Sequence, residues 1–246
     1  LVHHDLAKVL YKRKEGMPHG RVNPSKSLGL HSLNRKTRHT LTNGTMIDID
    51  IVNCHPQLLL QVVKHNNYNG DYTLLEDYIE NRDAWLEETR QAFGIYQMEV
   101  VKGDHALLKD IPKQLFIRLL YGGSISAWMK DWNIDESQYI IPQKCKDFMV
   151  LTKGIQLWIS ENNPDLYIKC RELNRHKGKD YNCEGTCCSY FLQEKECIIL
   201  EEVYKFCIDH GYIENDICVL CNDGIMLQRS LYKKELLDKL HEHVLK

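Results

Sequence analysis

Between Thr45 and Leu60 the chain reads TMIDIDIVNCHPQLLL, and its apolar positions change period partway along. Ile47, Ile49 and Ile51 alternate with Met46, Asp48, Asp50 and Val52, the period-two pattern of a strand, which places both aspartates on one face. From Pro56 onward, QLLLQVV reads as a helix, and mostly helical patterning runs from Leu58 to about Val101, broken at NNYNGDY. Pro112 is placed to open a helix, PKQLFIRLLYGG, because a missing N–H costs nothing in a first turn; Gly122 and Gly123 end it, and Lys109 falls off it. A polar interval, NRHKGKDYNCEG, precedes a long amphipathic helix that runs from Thr186 and stops at Gly211. ICVLCNDGIMLQ then predicts two short strands around Asn222-Asp223-Gly224, and YKKELLDKLHEHVL predicts a closing helix. Residues 1–45 read as a short helix followed by a basic, loop-rich approach to the first strand.

Composition narrows the class. The 246 residues are 43% hydrophobic and 27% charged, with a formal charge of -2, which describes a soluble globular protein with ample core for one or two compact units. No apolar run approaches the ~20 residues of a membrane span, and no signal peptide is visible, so no membrane partner is expected. A chain that begins with Leu1 rather than Met reads as a piece of a longer polypeptide. The near-neutral total hides an asymmetry: YKRKEGMPHGR and LNRKTRH are basic, whereas EDYIENRDAWLEE is acidic. Ten cysteines at irregular spacing suit reduced intracellular thiols rather than a disulfide framework. Zinc is disfavoured, since Cys218 and Cys221, three apart on a strand, point to opposite faces; buried small hydrophobes are the simpler account.

Asp223 lies at the tip of a hairpin with apolar flanks. Two carboxylates from separate apolar strands, Asp50 and Asp223, converge only through tertiary folding, and such a pair suits magnesium, which prefers carboxylate oxygen and leaves room for phosphates. The plain alternatives are an edge-strand aspartate facing water and a turn aspartate. On the middle helix, Lys113, Ile117 and Tyr121 share a face, lining up a cation, an aliphatic side chain and an aromatic ring. The cation can hold a triphosphate and the ring can stack a base; the plain alternative is a solvated lysine on an amphipathic helix.

The spacing K-x7-Y-G from Lys113 to Gly122 resembles motif B of the family A DNA polymerases and of the related phage-type single-subunit RNA polymerases. DIVNCHPQL is similar to their motif A, with Asp50 at the first catalytic aspartate, and CNDGIML to motif C, with Asp223 at the second. GRVNPSKSLGLHSLNRKTRHTL resembles the basic Gly-Arg stretch before motif A, and EGTCCSYFLQEKE the Gly-Thr helix before motif C. The combination looks most like the virus- and transposon-associated branch, whose members are joined to a superfamily 3 helicase in a primase-helicase protein. The resemblance covers roughly residues 20–230.

What the resemblance implies is a mixed α/β right-hand polymerase. Residues 1–64 would carry a basic segment and the first part of the palm, 65–180 helical fingers, and 181–246 the second part of the palm, with a reduced thumb. The reaction would be template-directed nucleotidyl transfer by a DNA polymerase or primase. Asp50 and Asp223 would hold two Mg2+ ions, for which Mn2+ substitutes, and Lys113 would hold the incoming triphosphate. Tyr121 would lie near the templating base and sugar. Arg21, Arg35 and Arg38 would grip phosphates of primer-template DNA. His55 stands where DNA-making members carry a sugar-excluding glutamate, Lys109 where the family has arginine, and Ile117 where some members use an aromatic. Asn222 and Gly224 replace the histidine and glutamate of replicative members. Asp48 reads as a neighbouring strand residue, with a third metal ligand the open alternative because it shares a face with Asp50. Nucleoside triphosphates and a helicase in the same polypeptide would be the partners, and the setting a host cytoplasm, viral factory or nucleus. A catalytically silent nucleic-acid-binding module of a helicase and a magnesium-dependent nuclease remain open alternatives.

Overall fold

Ile47 and Ile49 make one face of a short strand apolar, and such a face must be buried against another element. In the computed structural model, which describes residues 8–25 and 29–244, that strand joins a small sheet. The elements in chain order are β1 (Leu10–Lys12), β2 (Asn23–Ser25), α1 (Arg35–Thr42), β3 (Met46–Asp50), α2 (Cys54–His65), α3 (Thr73–Glu80), α4 (Arg82–Ala92), α5 (Glu99–Gly103), α6 (Leu107–Leu120), α7 (Ile125–Asp131), α8 (Gln143–Asn162), α9 (Pro164–His176), α10 (Cys183–Asp209), β4 (Cys218–Cys221), β5 (Gly224–Gln228) and α11 (Leu236–Val244). The fold is mixed α/β and divides into two units, Leu1–Cys54 with Leu192–Lys246, and His55–Phe191.

In the first unit the sheet order is β3–β5–β4, antiparallel throughout. Ile47 faces Leu227, Ile49 faces Ile225 and Asp50 faces Gly224. Ile47, Ile49, Ile225, Leu227, Cys218 and Leu220 pack on Leu200, Phe206 and Cys207 of α10 and on Leu236 and Leu240 of α11. Full burial of a side chain such as Ile225, Leu227 or Leu236 contributes about 1.5–3 kcal/mol, and the half-buried Ile47 and Ile49 contribute less. A one-residue slip of β3 would drive Asp48 and Asp50 into that core, so the apolar alternation fixes the register. The opposite face carries Met46, Met226, Val219 and Cys221. Cys218 and Cys221 therefore serve opposite faces, as their spacing on a strand requires, and all ten cysteines are free thiols.

The N-terminal reading needs correction. Within the described residues 8–25 lies not a helix but an antiparallel pair, β1 with β2; residues 1–7 lie outside the described ones. Gly16 and Gly20 adopt left-handed backbone with φ of 74° and 92°, and Pro18 and Pro24 deny N–H donors, so no helix propagates there. The intervening segment is tied to α10 instead: Arg13 pairs with Glu194 at 2.7 Å, whose other oxygen accepts from the Gly20 amide at 2.8 Å. Nor is the approach to β3 all loop, because Arg35–Thr42 is helical, capped by Asn34 accepting from the Thr37 amide.

The second unit is helical around an aromatic core of Tyr78, Trp85, Phe116 and Phe148, whose ring centroids lie 4.9–5.5 Å apart. Here α6 begins at Leu107, and Pro112 sits inside the helix rather than opening it. Pro112 cannot donate to the Leu108 carbonyl four residues back, and Arg90 Nη1 fills that gap at 3.1 Å. Lys109 is consequently on the helix. The long helix α10 starts at Cys183, ahead of the expected Thr186, and α11 starts at Leu236 rather than near Tyr232.

Candidate functional site

Antiparallel pairing brings Asp50 to the end of β3 beside the β4–β5 turn that carries Asp223. The Ile51 amide donates to the Asp223 carbonyl at 2.8 Å, extending the ladder one step past the strands. Asn222 makes the turn with φ 53°, a left-handed conformation that asparagine tolerates better than most residues. Gly224 is required for space: a Cβ there would stand 2.3 Å from Asp50 Oδ1. Neither Asp50 nor Asp223 has an ion-pair partner among the described residues. The Asp50 residue is exposed, yet protein packed about its carboxyl, and then the charges of Asp48 and Asp223, lift its pKa above the usual carboxylate value; Arg35 and Arg38 pull it partly back. The fold thus concentrates negative charge at this end of the sheet.

Asp48, two residues back on the same face, is engaged differently. His39 Nε2 lies 2.8 Å and Arg38 Nη2 3.9 Å from its Oδ2. Asp48 Oδ1 and Arg38 Nε are buried without a hydrogen-bond partner among the described residues. Arg38 is thus directed at a carboxylate and only 14% exposed in its side chain, while Arg35, one turn earlier, is exposed. Arg21 makes a two-pronged pair with Glu196, Nε and Nη2 each 2.8 Å from a carboxylate oxygen, and Glu196 is fully buried. Of the three arginines expected on nucleic-acid phosphates, Arg35 is the one exposed on a helix surface.

In the second unit, Lys109, Lys113, Ile117 and Tyr121 follow one another at four-residue intervals along α6 and its C-cap. Both lysines are exposed and have no ion-pair partner among the described residues, whereas Ile117 and Tyr121 are half-buried. His55, in the first turn of α2, is 6% exposed, and its Nδ1 is hydrogen-bonded to the Tyr121 hydroxyl, the rings meeting edge-on at 5.7 Å. Where α6 ends, the Gly122 amide donates to the Leu119 carbonyl at 3.0 Å and the Gly123 amide to the Arg118 carbonyl at 2.9 Å. With Gly122 at φ 75°, this is a Schellman exit, which the Gly-Gly pair supplies.

Several residues that shape these sites escaped sequence reasoning. Gln156 Nε2 donates to the Leu119 and Leu120 carbonyls at 3.1 and 3.0 Å, Thr152 Oγ1 to Leu119 at 3.1 Å, and Asn182 Nδ2 to Tyr121 at 2.8 Å. Thr152 and Gln156 are buried within the apolar stripe Phe148–Ile155–Ile159 of α8, and polar residues on such a stripe were the available signal. His39 and Glu196 carried none: one reads as part of a basic run, the other as one more glutamate of a charged helix.

Over 212 residues, 85% of its length, the chain is 29% identical to a Sputnik virophage protein named "Putative helicase V13". The aligned part makes up 24% of that protein, so the chain spans about a quarter of the relative it matches. No protein-family model matches the chain, and no solved structure matches it. No helix among the described residues is long and apolar enough to cross a membrane. The chain is thus similar, along most of its length, to a viral protein that carries a helicase name.

Proposed function

We propose that this chain is the nucleotidyl-transferring part of a viral or mobile-element replication protein, a template-directed DNA polymerase with priming capacity built on a right-hand palm. The observation that carries the reading is the meeting of Asp50 and Asp223, from distant parts of the sequence, at one end of a sheet, with no ion-pair partner for either carboxylate among the described residues. Their donor set fits magnesium: hard oxygen ligands, a charge on Asp50 that the fold disfavours, and a glycine that leaves its carboxylate room. When bound, such ions, or manganese in their place, supply charge neutralisation for phosphoryl transfer and activation of a 3′-hydroxyl.

The remaining work falls to the side chains. Lys113, with Lys109 one turn earlier, would hold the triphosphate of an incoming nucleotide, catalysis of this kind being mainly positioning and electrostatics. Ile117 continues that stripe toward Tyr121, whose ring offers a stacking face. Arg35 is the leading contact for a primer or template phosphate; Arg38 and Arg21 act mainly by holding Asp48 and Glu196. His55, buried and bonded to Tyr121, would crowd a ribose 2′-hydroxyl, so deoxynucleotides are favoured. His55→Gly should relax the deoxy-to-ribo preference; an unchanged ratio in an active variant removes that role.

The helicase-named relative also favours a second reading, a nucleic-acid-binding module that accompanies a superfamily 3 helicase without chemistry of its own. A magnesium-dependent nuclease would use the same carboxylates but has no triphosphate for Lys113 to hold. Primer extension with magnesium and all four deoxynucleotides separates the three. Extension lost on Asp50→Asn supports the polymerase, shortening of the primer supports the nuclease, and binding without either supports the silent module.

A further inference from the structure

Tyr121 is held at both ends. Its hydroxyl is bonded to His55, and its backbone carbonyl accepts from Asn182 Nδ2 at 2.8 Å. The Asn182 side chain occupies a slot that exists only because two glycines line it. A Cβ at Gly122 would stand 2.0 Å from Asn182 Oδ1, and one at Gly185 would stand 2.3 Å from the same atom and 2.2 Å from the Tyr121 carbonyl oxygen. Asn182 has φ 55°, and its own carbonyl accepts from the Thr186 amide at 3.1 Å and the Thr186 hydroxyl at 2.9 Å as α10 begins. Asparagine suits all of this, since it tolerates left-handed backbone and its amide donates. Beside it, buried Gln156 takes the two preceding carbonyls. The last turn of α6 is therefore clamped carbonyl by carbonyl, where a helix end normally relies on water or its own chain.

Resting on the nucleotidyl-transfer reading, we propose that Asn182 is a positioning residue: by fixing the Tyr121 backbone against the start of α10, it sets the attitude of the Tyr121 ring toward the nucleotide. Asn182 touches no reacting atom, so its effect passes through Tyr121. Its loss should appear in nucleotide KM and in sugar discrimination more than in kcat.

The experiment compares the full chain with Asn182→Gly and Asn182→Asp. Glycine keeps the left-handed backbone and removes the donor; aspartate keeps the shape and sets an acceptor against an acceptor. Three quantities are read: steady-state primer extension with deoxy- and ribonucleotides, melting temperature, and hydrogen exchange of the segment 119–123. Expected for Asn182→Gly are a melting temperature near wild type, a deoxynucleotide KM raised about tenfold with a smaller change in kcat, and faster exchange in 119–123. Asn182→Asp should be more severe on all three, and it reports the same effect should the glycine variant melt early. Wild-type KM, discrimination and exchange in both variants would overturn the proposal. A wild-type protein that extends no primer overturns the polymerase reading instead. Exchange in 119–123 then decides alone: faster exchange upholds the clamp on Tyr121, and unchanged exchange removes it.

Discussion

At the end of the small sheet, Asp50 and Asp223 stand without ion-pair partners among the described residues, and burial of the Asp50 carboxyl, then the charges of Asp48 and Asp223, work against its ionised form. At the end of α6 the reverse holds, because each carbonyl from Leu119 to Tyr121 accepts a hydrogen bond from a neutral side chain. Both regions depend on glycine, Gly224 beneath Asp50 and Gly122 beside Asn182, and in both the missing Cβ makes space for a polar group. The difference teaches how each would act. Charge only partly offset, by Arg35 and Arg38, at an exposed edge costs folding free energy and would leave capacity for a cation. Satisfied neutral groups in a buried corner carry no net charge and hold geometry.

The largest test of that contrast is Asp50→Asn or Asp223→Asn. Each should lower nucleotide incorporation by at least ~10³-fold, since losing a metal ligand removes several kcal/mol of transition-state stabilisation. The fold should not suffer. Asp50 has a raised pKa, so its ionised form opposes folding above that value, and removing the charge at neutral pH should leave the metal-free melting temperature equal or higher. A variant that extends primers at near wild-type speed, or melts well below it, breaks the picture of a charged, ligand-ready edge.

Lys113→Ala comes next. A charge-assisted phosphate contact is worth ~1.5–3 kcal/mol, so incorporation efficiency should fall roughly ten- to hundredfold while template affinity holds. Equal losses of both would move Lys113 from nucleotide to template.

Gln156→Leu tests the opposite pole. It removes the donor to a buried Leu120 carbonyl while preserving apolar volume, which should cost about 1–3 kcal/mol in urea unfolding. A neutral result would mean that the Gln156 hydrogen bonds add nothing to the hold on the α6 end. The smallest effect is expected at the arginines of α1. Arg35→Gln should flatten the slope of log DNA affinity against log salt by about one unit, and Arg38→Gln by less, since Arg38 already faces Asp48. Equal slopes for the two variants would contradict the separation drawn between them.

Much of this was legible in the residues. The Ile alternation specified β3 and the common face of Asp48 and Asp50, because side-chain period and burial are local properties of a strand. The turn at Asn222-Asp223 and the helix stop at Gly122-Gly123 were equally local, set by backbone conformations few residues tolerate. The segment 8–25 was misread because a three-residue strand leaves almost no periodic signal. Pro112 was misplaced because its compensation, Arg90, comes from another helix.

By itself, then, the sequence determined the elements that bear the carboxylates, Lys113 and the glycines, since period, turn preference and steric room act over a few residues; that Lys109 joins the same helix was decided by the packing of Arg90. Tertiary structure alone decided which polar groups meet: Asp50 with Asp223, Asp48 with His39, Arg21 with Glu196, and Tyr121 with His55 and Asn182. These pairings join residues from separate elements, and most lie far apart in the chain. The two aspartates meet because the apolar faces of β3 and β5 pack in one register; the other meetings arise from the cost of burying a donor, acceptor or charge without a partner, a condition met only once the elements pack.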